Sequence, residues 1–421
     1  MEKDLVNREG EKRVKARTVT WLASELHDFE RLDDLKAKMS ARLADWLPEA
    51  EFEPVEKSEP ESSPVLMILT GGTERQALEW LDKCPGRVTL LAHPAHNSMA
   101  ACLEILARLR QAGRRGRVML FDDSEPNKEA LRDRWEMRRV HMGMQGARVG
   151  LVGQPSDWLV ASVPDVEQVK RRWGVDLVPL GLDALAAAER DIDSADLKAE
   201  TDRWLREAGG MVEPDEAALS LAVKTALALE RLAKENDLHA LGLGCFDWLK
   251  AHGVTGCLAV ARLNDLGLPA ACEADPAAAV TMLWSWRVCH EPAFMANPQW
   301  PQADSGVLEL AHCTAPSSMA RSFNLRSHFE SGRGVAVEAD FAPGAVSLVR
   351  LGGHKLDQLY LAEGWVIDGA GNRPDRCRTQ VAVRMEGDAL DQLLSRPLGN
   401  HLLLIKGRHA ERLDASFSWF A

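Results

Sequence analysis

A regular alternation of short apolar runs with helical segments begins at Pro64 and limits the fold to a few classes. Strands that alternate with helices of about 10 to 15 residues pair in parallel through right-handed crossovers, so the pattern predicts an α/β lobe. It restarts after residue 147, which predicts a second lobe of the same kind. The predicted strands are residues 65–69, 87–91 and 117–121 in the first lobe and 148–152, 158–161 and 175–179 in the second.

Helical periodicity fades after about residue 305, where short apolar runs are separated by glycine-rich turns. Such runs predict antiparallel strands in a small barrel or sandwich. The runs are residues 307–310, 335–338, 346–349, 380–384 and 402–405. Four parts are therefore predicted: a charged N-terminal arm and linker (1–63), two α/β lobes (64–146 and 147–236) and a C-terminal domain (237–421).

Composition narrows the class of protein. Of the 421 residues, 46% are hydrophobic and 27% charged, as in globular proteins. The net charge of -12 is spread along the chain, which argues against a partner that is a nucleic acid or an anionic membrane. No run approaches 18 apolar residues and the N-terminus has no apolar core, so we expect a cytoplasmic protein. Its eight cysteines include no CxxC pair and are expected to be reduced.

Two carboxylates, Glu273 and Asp275, stand where an apolar run turns into a helix. Two residues apart on a strand, they would point to the same face. In open α/β sheets, ligands bind at the carboxyl ends of the strands. The pair therefore predicts either a divalent metal site or a proton shuttle between adjacent carbon atoms.

These carboxylates need partners. A glutamate, an aspartate, one histidine and waters would suit Mn²⁺ or Mg²⁺, whereas thiols from Cys257, Cys272 or Cys313 would favour Zn²⁺. Four imidazoles are candidates: His290, His312, His328 and His401. His401 is preferred, because a Gly-Asn turn holds it at one end of an apolar strand.

Other polar residues at predicted strand ends are candidates for substrate binding. Arg376, Arg378 and Gln380 at a strand entrance could hold an anionic or polyhydroxyl ligand, or could form a salt-bridged strand end. His96 and Asn97 leave a strand of the first lobe and could meet substrate hydroxyls, although a helix cap at Ser98 also explains this segment. Neither a nucleotide fingerprint nor a GxSxG or HExxH motif occurs.

Taken together, the motifs resemble the L-fucose/L-arabinose isomerase family, in particular its short "L-fucose isomerase-like" branch. The resemblance covers about residues 64–415 and includes the helix start at Asn97. The C-terminal motifs that carry it are NDLG (264–267), CEAD (272–275), HCTAP (312–316), HFESG (328–332), CRTQ (377–380) and PLGNH (397–401).

The resemblance implies two Rossmann-like α/β lobes followed by a C-terminal domain with an antiparallel β-barrel. It implies an aldose–ketose isomerase acting through an enediol with Mn²⁺, or with Mg²⁺, Co²⁺ or Zn²⁺. Asp275 matches the acidic metal ligand and acid/base, and His401 matches the C-terminal histidine ligand. A trimer or hexamer is implied, because a neighbouring subunit completes the active site in this family.

The chain departs from the family in two respects. His401 is followed by Leu402 where many relatives carry a second histidine. Residues 254–263 hold no carboxylate where fucose isomerases carry a second catalytic glutamate. Glu273 is therefore expected to serve as metal ligand or general base, while His312 and Arg378 orient hydroxyls or an anionic substituent. Two alternatives stay open: another enediolate reaction, and a regulatory protein that binds a sugar or an anionic sugar derivative.

Overall fold

The computed structural model describes residues 18–24, 29–302 and 304–420, with side chains in the first helix from residue 32 onward. The chain forms two compact units, one within residues 9–143 and one that spans residues 144–421. Within the described ranges, no helix combines the length and the apolar character needed to cross a membrane.

The unit within residues 9–143 is a five-stranded parallel sheet in the order β2-β1-β3-β4-β5. Neighbouring residues of β3 point to opposite faces, so Leu66 packs with α2 and α3 while Met67 packs with α1 and α4. The strands are β1 (Thr18–Leu22), β2 (Glu51–Pro54), β3 (Val65–Ile68), β4 (Val88–Ala92) and β5 (Gly116–Leu120); the helices are α1 (Phe29–Trp46), α2 (Glu74–Leu81), α3 (Ser98–Gln111) and α4 (Glu125–Met144).

This unit corrects the interpretation of residues 1–63 as an arm and linker. Among the described residues of that segment, β1, α1 and β2 are integral to the sheet and its apolar core. The strands are only five and four residues long and are surrounded by charged sequence, so their pattern was too short to be seen.

The second unit begins with a four-stranded parallel sheet in the order β7-β6-β8-β9. Its strands are β6 (Arg148–Val152), β7 (Asp176–Leu180), β8 (Ala240–Leu243) and β9 (Ala270–Cys272). Its helices are α5 (Val166–Trp173), α6 (Leu182–Arg190), α7 (Ser194–Glu207), α8 (Glu216–Glu235), α9 (Cys245–His252), α10 (Cys257–Asp265) and α11 (Pro276–Cys289).

Two expectations for this part of the chain were wrong. Residues 158–161, predicted as a strand, lie in a loop after β6. The boundary at residue 236 also cuts the sheet, because β8 and β9 pair with β6 although the sequence placed them in the C-terminal domain.

Six antiparallel strands then close into a barrel in the order β10-β11-β16-β15-β14-β17, as predicted for the C-terminal region. They are β10 (Ala293–Gln302), β11 (Val307–His312), β14 (Gly344–Gly352), β15 (Gln358–Asp368), β16 (Thr379–Met385) and β17 (Leu402–Lys406). A hairpin of β12 (Ser322–Arg326) and β13 (Ala336–Asp340) and two helices, α12 (Ala389–Ser395) and α13 (Ala410–Phe417), complete the unit. Helix α11 packs against β14 and so places the end of β9 beside the barrel.

Candidate metal centre

The two carboxylates do not lie on a strand. Strand β9 ends at Cys272, and Glu273 and Ala274 both adopt left-handed backbone conformations, with φ of 61° and 47°. Asp275 is the N-cap of α11, and its Oδ1 accepts from the Ala278 amide at 2.8 Å. The expectation of two co-facing strand residues was therefore wrong, and the tight turn determines where each carboxylate points.

Glu273, His312 and His401 together form a buried group of three possible metal ligands. One ligand atom from each lies within 4.8 Å of the other two. The residues come from three ends of elements: the turn after β9, the last residue of β11 and the residue before β17. Two histidines and one carboxylate thus meet where the parallel sheet adjoins the barrel.

His401 is held by one ring nitrogen and leaves the other unpartnered. Its Nδ1 lies 2.8 Å from Asp275 Oδ2. Its Nε2 lies 3.6 Å from Glu273 Oε1, too far for a hydrogen bond, and has no hydrogen-bond partner in the described part of the chain. Although burial lowers the pKa of His401, its hydrogen bond to Asp275 and the negative charges of Asp275 and Glu273 raise that pKa above the ordinary value.

Asp275 is fully buried and its oxygens are already engaged. Besides the Ala278 amide and His401, it accepts from Arg350 Nη1 and Nη2 at 3.3 and 3.4 Å. Burial raises the pKa of Asp275, but the charge of Arg350 and the bond to His401 outweigh it and hold that pKa below its usual range. Asp275 therefore orients His401 and is not one of the three residues that converge on a common point.

His312 is neutral at ordinary pH. Burial, with repulsion from His401 second, lowers the pKa of His312 to about 4. The Nδ1 atom of His312 lies 2.9 Å from Thr314 Oγ1. The imidazole rings of His312 and His401 lie edge to face with their centroids 5.8 Å apart. A neutral, oriented imidazole is the form that binds metal ions.

Trp158 contacts this group, and nothing in the sequence had singled it out. Its indole Nε1 donates to Glu273 Oε2 at 2.6 Å. The ring lies edge to face with Phe246 at 5.0 Å, and Phe246 lies edge to face with His328 at 5.7 Å. Burial raises the pKa of Glu273, but its interactions with His401 and His312 and the indole bond bring it below the ordinary value.

Two candidates from the barrel region have their polar groups engaged locally. Arg378 Nε and Nη2 donate to the carbonyl and hydroxyl oxygens of Ser327 at 2.8 and 3.1 Å. The Gln380 side chain donates to the carbonyl oxygens of Arg373 and Cys377 at 2.8 and 3.1 Å. Both side chains fasten loops to the barrel, so any role in substrate binding would require them to exchange these bonds.

Three further candidates for substrate binding lie outside the group of three. His328 belongs to the same unit as the group of three and bonds through Nδ1 to Ser331 Oγ at 3.0 Å. His96 and Asn97 belong to the unit within residues 9–143, where both adopt left-handed conformations before α3. The carbonyl of His96 accepts from the Gly71 amide at 2.8 Å, which ties together the ends of β3 and β4.

The donor set fits a divalent transition-metal ion. One carboxylate and two imidazoles suit Mn²⁺, Co²⁺ or Zn²⁺. The unpartnered His401 Nε2 supports this fit, because a buried nitrogen without a hydrogen bond is costly unless a ligand satisfies it. Its partner nitrogen is fixed by a carboxylate, which is the usual arrangement for histidines that bind metal.

Comparison with known proteins gives one informative relative. No protein-family model matches the chain. A sulfoquinovose isomerase from Clostridium sp. (strain MSTE9) is 28% identical over 172 residues. The match covers 39% of this chain and 38% of the relative, so most of each protein lies outside it. Part of the chain is thus similar to part of a sugar isomerase.

Proposed function

We propose that this protein is a metal-dependent aldose–ketose isomerase of the L-fucose isomerase-like type, acting on a sugar through an enediol. The observation that carries the proposal is the buried group of Glu273, His312 and His401, in which His401 Nε2 has no hydrogen-bond partner among the described residues. The similarity to a sulfoquinovose isomerase supports the class of reaction. The barrel and the parallel sheets agree with the architecture that the resemblance implies.

In this mechanism, His312, His401 and Glu273 would hold the cation. Bound there, Mn²⁺ or a similar ion would polarise the carbonyl and hydroxyl oxygens of the sugar. Glu273 is ionised at neutral pH, since its pKa lies below the ordinary value, and can accept a proton from one carbon and return it to the next. Asp275 would keep His401 oriented while Arg350 balances its charge.

The substrate is proposed to be a sugar, and the relative's name makes sulfoquinovose the first compound to test. An anionic substituent would need a cationic partner. Arg376 pairs with Glu309, and Arg378 is bonded to Ser327. Of the two roles considered for this strand entrance, a salt-bridged strand end is therefore the one that the contacts favour.

We also propose a homo-oligomer, a trimer or hexamer, in which a neighbouring subunit completes each active site. The resemblance to the isomerase family is the support for this assembly. Light scattering coupled to size exclusion would measure the mass directly. A 46.4 kDa species under conditions that give turnover would reject shared active sites.

A second function is favoured by the engagement of Asp275. Arg350, His401 and the Ala278 amide occupy the oxygens of Asp275. Glu273 would therefore have to move protons as well as bind the cation. A diverged member that binds a sugar or its anionic derivative would need no proton relay. Another reaction through an enediolate would keep the metal site and give a different product.

The test is metal analysis of the purified full-length chain and its His401→Ala variant, followed by a panel of aldoses that includes sulfoquinovose. We expect near-stoichiometric divalent metal in the wild type, loss of it in His401→Ala, and ketose formation from at least one sugar. Bound metal with sugar binding but no product would favour the binding function. Absence of bound metal and no thermal shift with Mn²⁺ would reject the isomerase mechanism.

A further inference from the structure

The loop of residues 156–162, which follows β6, is fastened to the candidate metal centre at both ends. The Ser156 amide donates to the Glu273 carbonyl at 3.1 Å. At the other end, the Ser162 carbonyl accepts from the Ala277 amide at 3.3 Å, and its hydroxyl accepts from Arg350 Nη2 at 2.7 Å. The loop is therefore held in place around Trp158.

Trp158 is the aromatic residue of this loop and is 52% exposed. Its neighbour Leu159 is buried and supplies the packing that anchors the loop. An indole that leaves half its surface in water gains only about half of the burial free energy of a core tryptophan, so core packing alone does not explain its position. Its most specific contact is polar, the 2.6 Å bond from Nε1 to Glu273 Oε2.

That bond distinguishes the two oxygens of one carboxylate. The indole N–H occupies Oε2, while Oε1 faces His401 Nε2 at 3.6 Å. A hydrogen bond to an ionised carboxylate is about twice as strong as one between neutral groups. Glu273 is thus held with one oxygen toward the group of three and the other turned away from it.

We propose that Trp158 is a positioning residue that fixes Glu273 for cation binding. The inference rests on the proposed function, because it takes the group of three as a metal site. Carboxylates that bind metals are oriented by hydrogen bonds from surrounding groups, and loss of such a bond costs about 10- to 100-fold in affinity. Trp158 supplies that bond from a loop that is itself tied to Glu273 and Arg350.

The experiment compares Mn²⁺ binding by calorimetry in the full-length wild type, Trp158→Phe and Trp300→Phe. Phenylalanine keeps an aromatic ring and removes the N–H donor. Trp300 is a matched control, because it is 71% exposed on barrel strand β10 and lies outside the group of three. We expect the Kd of Trp158→Phe to rise at least about tenfold, with that of Trp300→Phe unchanged.

A spectroscopic readout separates positioning from a loss of fold. The Co²⁺ absorption spectrum is expected to change shape in Trp158→Phe, because the freed carboxylate reorients, while the melting temperature stays close to that of the wild type. If Trp158→Phe does not fold, the wild-type indole N–H resonances give a second test. The Trp158 resonance should shift when Zn²⁺ is added and the Trp300 resonance should not.

The outcomes are distinguishable. Equal Mn²⁺ affinity in wild type and Trp158→Phe, or an unmoved Trp158 resonance in Zn²⁺-bound protein, would overturn the positioning role and leave the proposed function intact. A wild-type protein that binds no divalent cation would overturn both. A metal affinity that falls in Trp158→Phe and not in Trp300→Phe supports the inference.

Discussion

At the scale of single residues, the buried set of Asp275, Arg350 and His401 is the part of the site that depends most on charge balance. Arg350 donates to Asp275, to the His401 carbonyl and to Ser162. Since all three members are buried, each charge is stable only while its partner is present.

Replacing Asp275 by Asn tests this balance. The variant leaves the Arg350 charge buried without a counter-charge and alters the acceptor for His401 Nδ1. We expect the free energy of unfolding to fall by about 3 to 5 kcal/mol and Mn²⁺ affinity to fall by about 10- to 100-fold. Urea denaturation and calorimetry measure the two effects.

The matched control is Asp215→Asn. Asp215 is the N-cap of α8 and accepts from the Ala218 amide at 2.8 Å, as Asp275 accepts from Ala278. It is exposed and outside the group of three. Equal losses of stability in the two variants would show that helix capping, and not the Arg350 charge, explains the effect.

The pH dependence of stability tests the neutral state of His312. Its pKa is about 4 in the folded chain and 6.5 ordinarily, so the unfolded chain takes up a proton first as the pH falls. The contribution of His312 to the free energy of unfolding is therefore constant above pH 6.5. Between pH 6.5 and 4 the free energy of unfolding falls by a total on the order of 3 kcal/mol. Urea unfolding in EDTA from pH 7 to 4 measures it.

The His312→Gln variant isolates this contribution. The lowered pKa values of Glu273 and Asp275 also make the folded chain less stable in acid. The raised pKa of His401 makes it more stable in acid. The difference between wild type and variant removes most of these shared effects. A difference that stays constant from pH 7 to 4 would show that His312 is not held neutral by the fold.

At the scale of elements, the turn between β9 and α11 decides where the site lies. Two consecutive non-glycine residues in left-handed conformations cost about 1 to 3 kcal/mol each, so the surrounding structure must hold them. The Ala274 amide donates to the Leu243 carbonyl at 2.8 Å, which ties the turn to β8. Gly242 in β8 lies directly against it.

Gly242→Ala is expected to disturb the site through this turn. A Cβ at residue 242 would lie 3.0 Å from the Ala274 Cα and 3.2 Å from its carbonyl carbon, and these backbone atoms must then move. We expect a loss of about 1 to 3 kcal/mol in the free energy of unfolding, together with weaker Mn²⁺ binding, by denaturation and calorimetry.

Gly344→Ala provides the comparison, because a Cβ there meets no atom within 4 Å. Gly344 also begins a β-strand, as Gly242 lies in one. If both substitutions changed Mn²⁺ affinity alike, close packing of Gly242 on the turn would not be the cause.

At the scale of the whole molecule, the candidate metal centre is built from one unit. Glu273, His312 and His401 all lie within residues 144–421. This unit has its own apolar core, with buried residues from Trp204 to Leu404. The other unit has separate cores on the two faces of its sheet. Units with their own cores can fold independently.

A fragment of residues 144–421 is therefore expected to fold cooperatively and to bind Mn²⁺ with the affinity of the full chain. Turnover is a separate question, because His96 and Asn97 belong to the other unit. Circular dichroism, denaturation and calorimetry of the fragment test this. A fragment that folds and yet binds no Mn²⁺, when the full chain does, would show that residues outside 144–421 complete the metal site.

Sequence patterns predicted the class of architecture and singled out candidate residues for the site. Alternating runs predicted the parallel sheets, and glycine-punctuated runs predicted the antiparallel barrel, because periodicity follows from which face of each element is buried. Glu273, His312 and His401 were all among the candidates, since polar residues at strand ends stand out against apolar runs. Strands β10, β12 and β15 were missed because their patterns are interrupted by polar residues and proline.

How these residues combine became visible in the folded chain. It pairs Asp275, an expected metal ligand, with His401, and it reveals Arg350 and Trp158, which are remote in sequence from the residues they hold. The physical reason is that periodicity and spacing report only local geometry. The geometry of the site depends on contacts between residues more than 70 positions apart, from Arg350 to Asp275, from Trp158 to Glu273 and from His401 to Asp275.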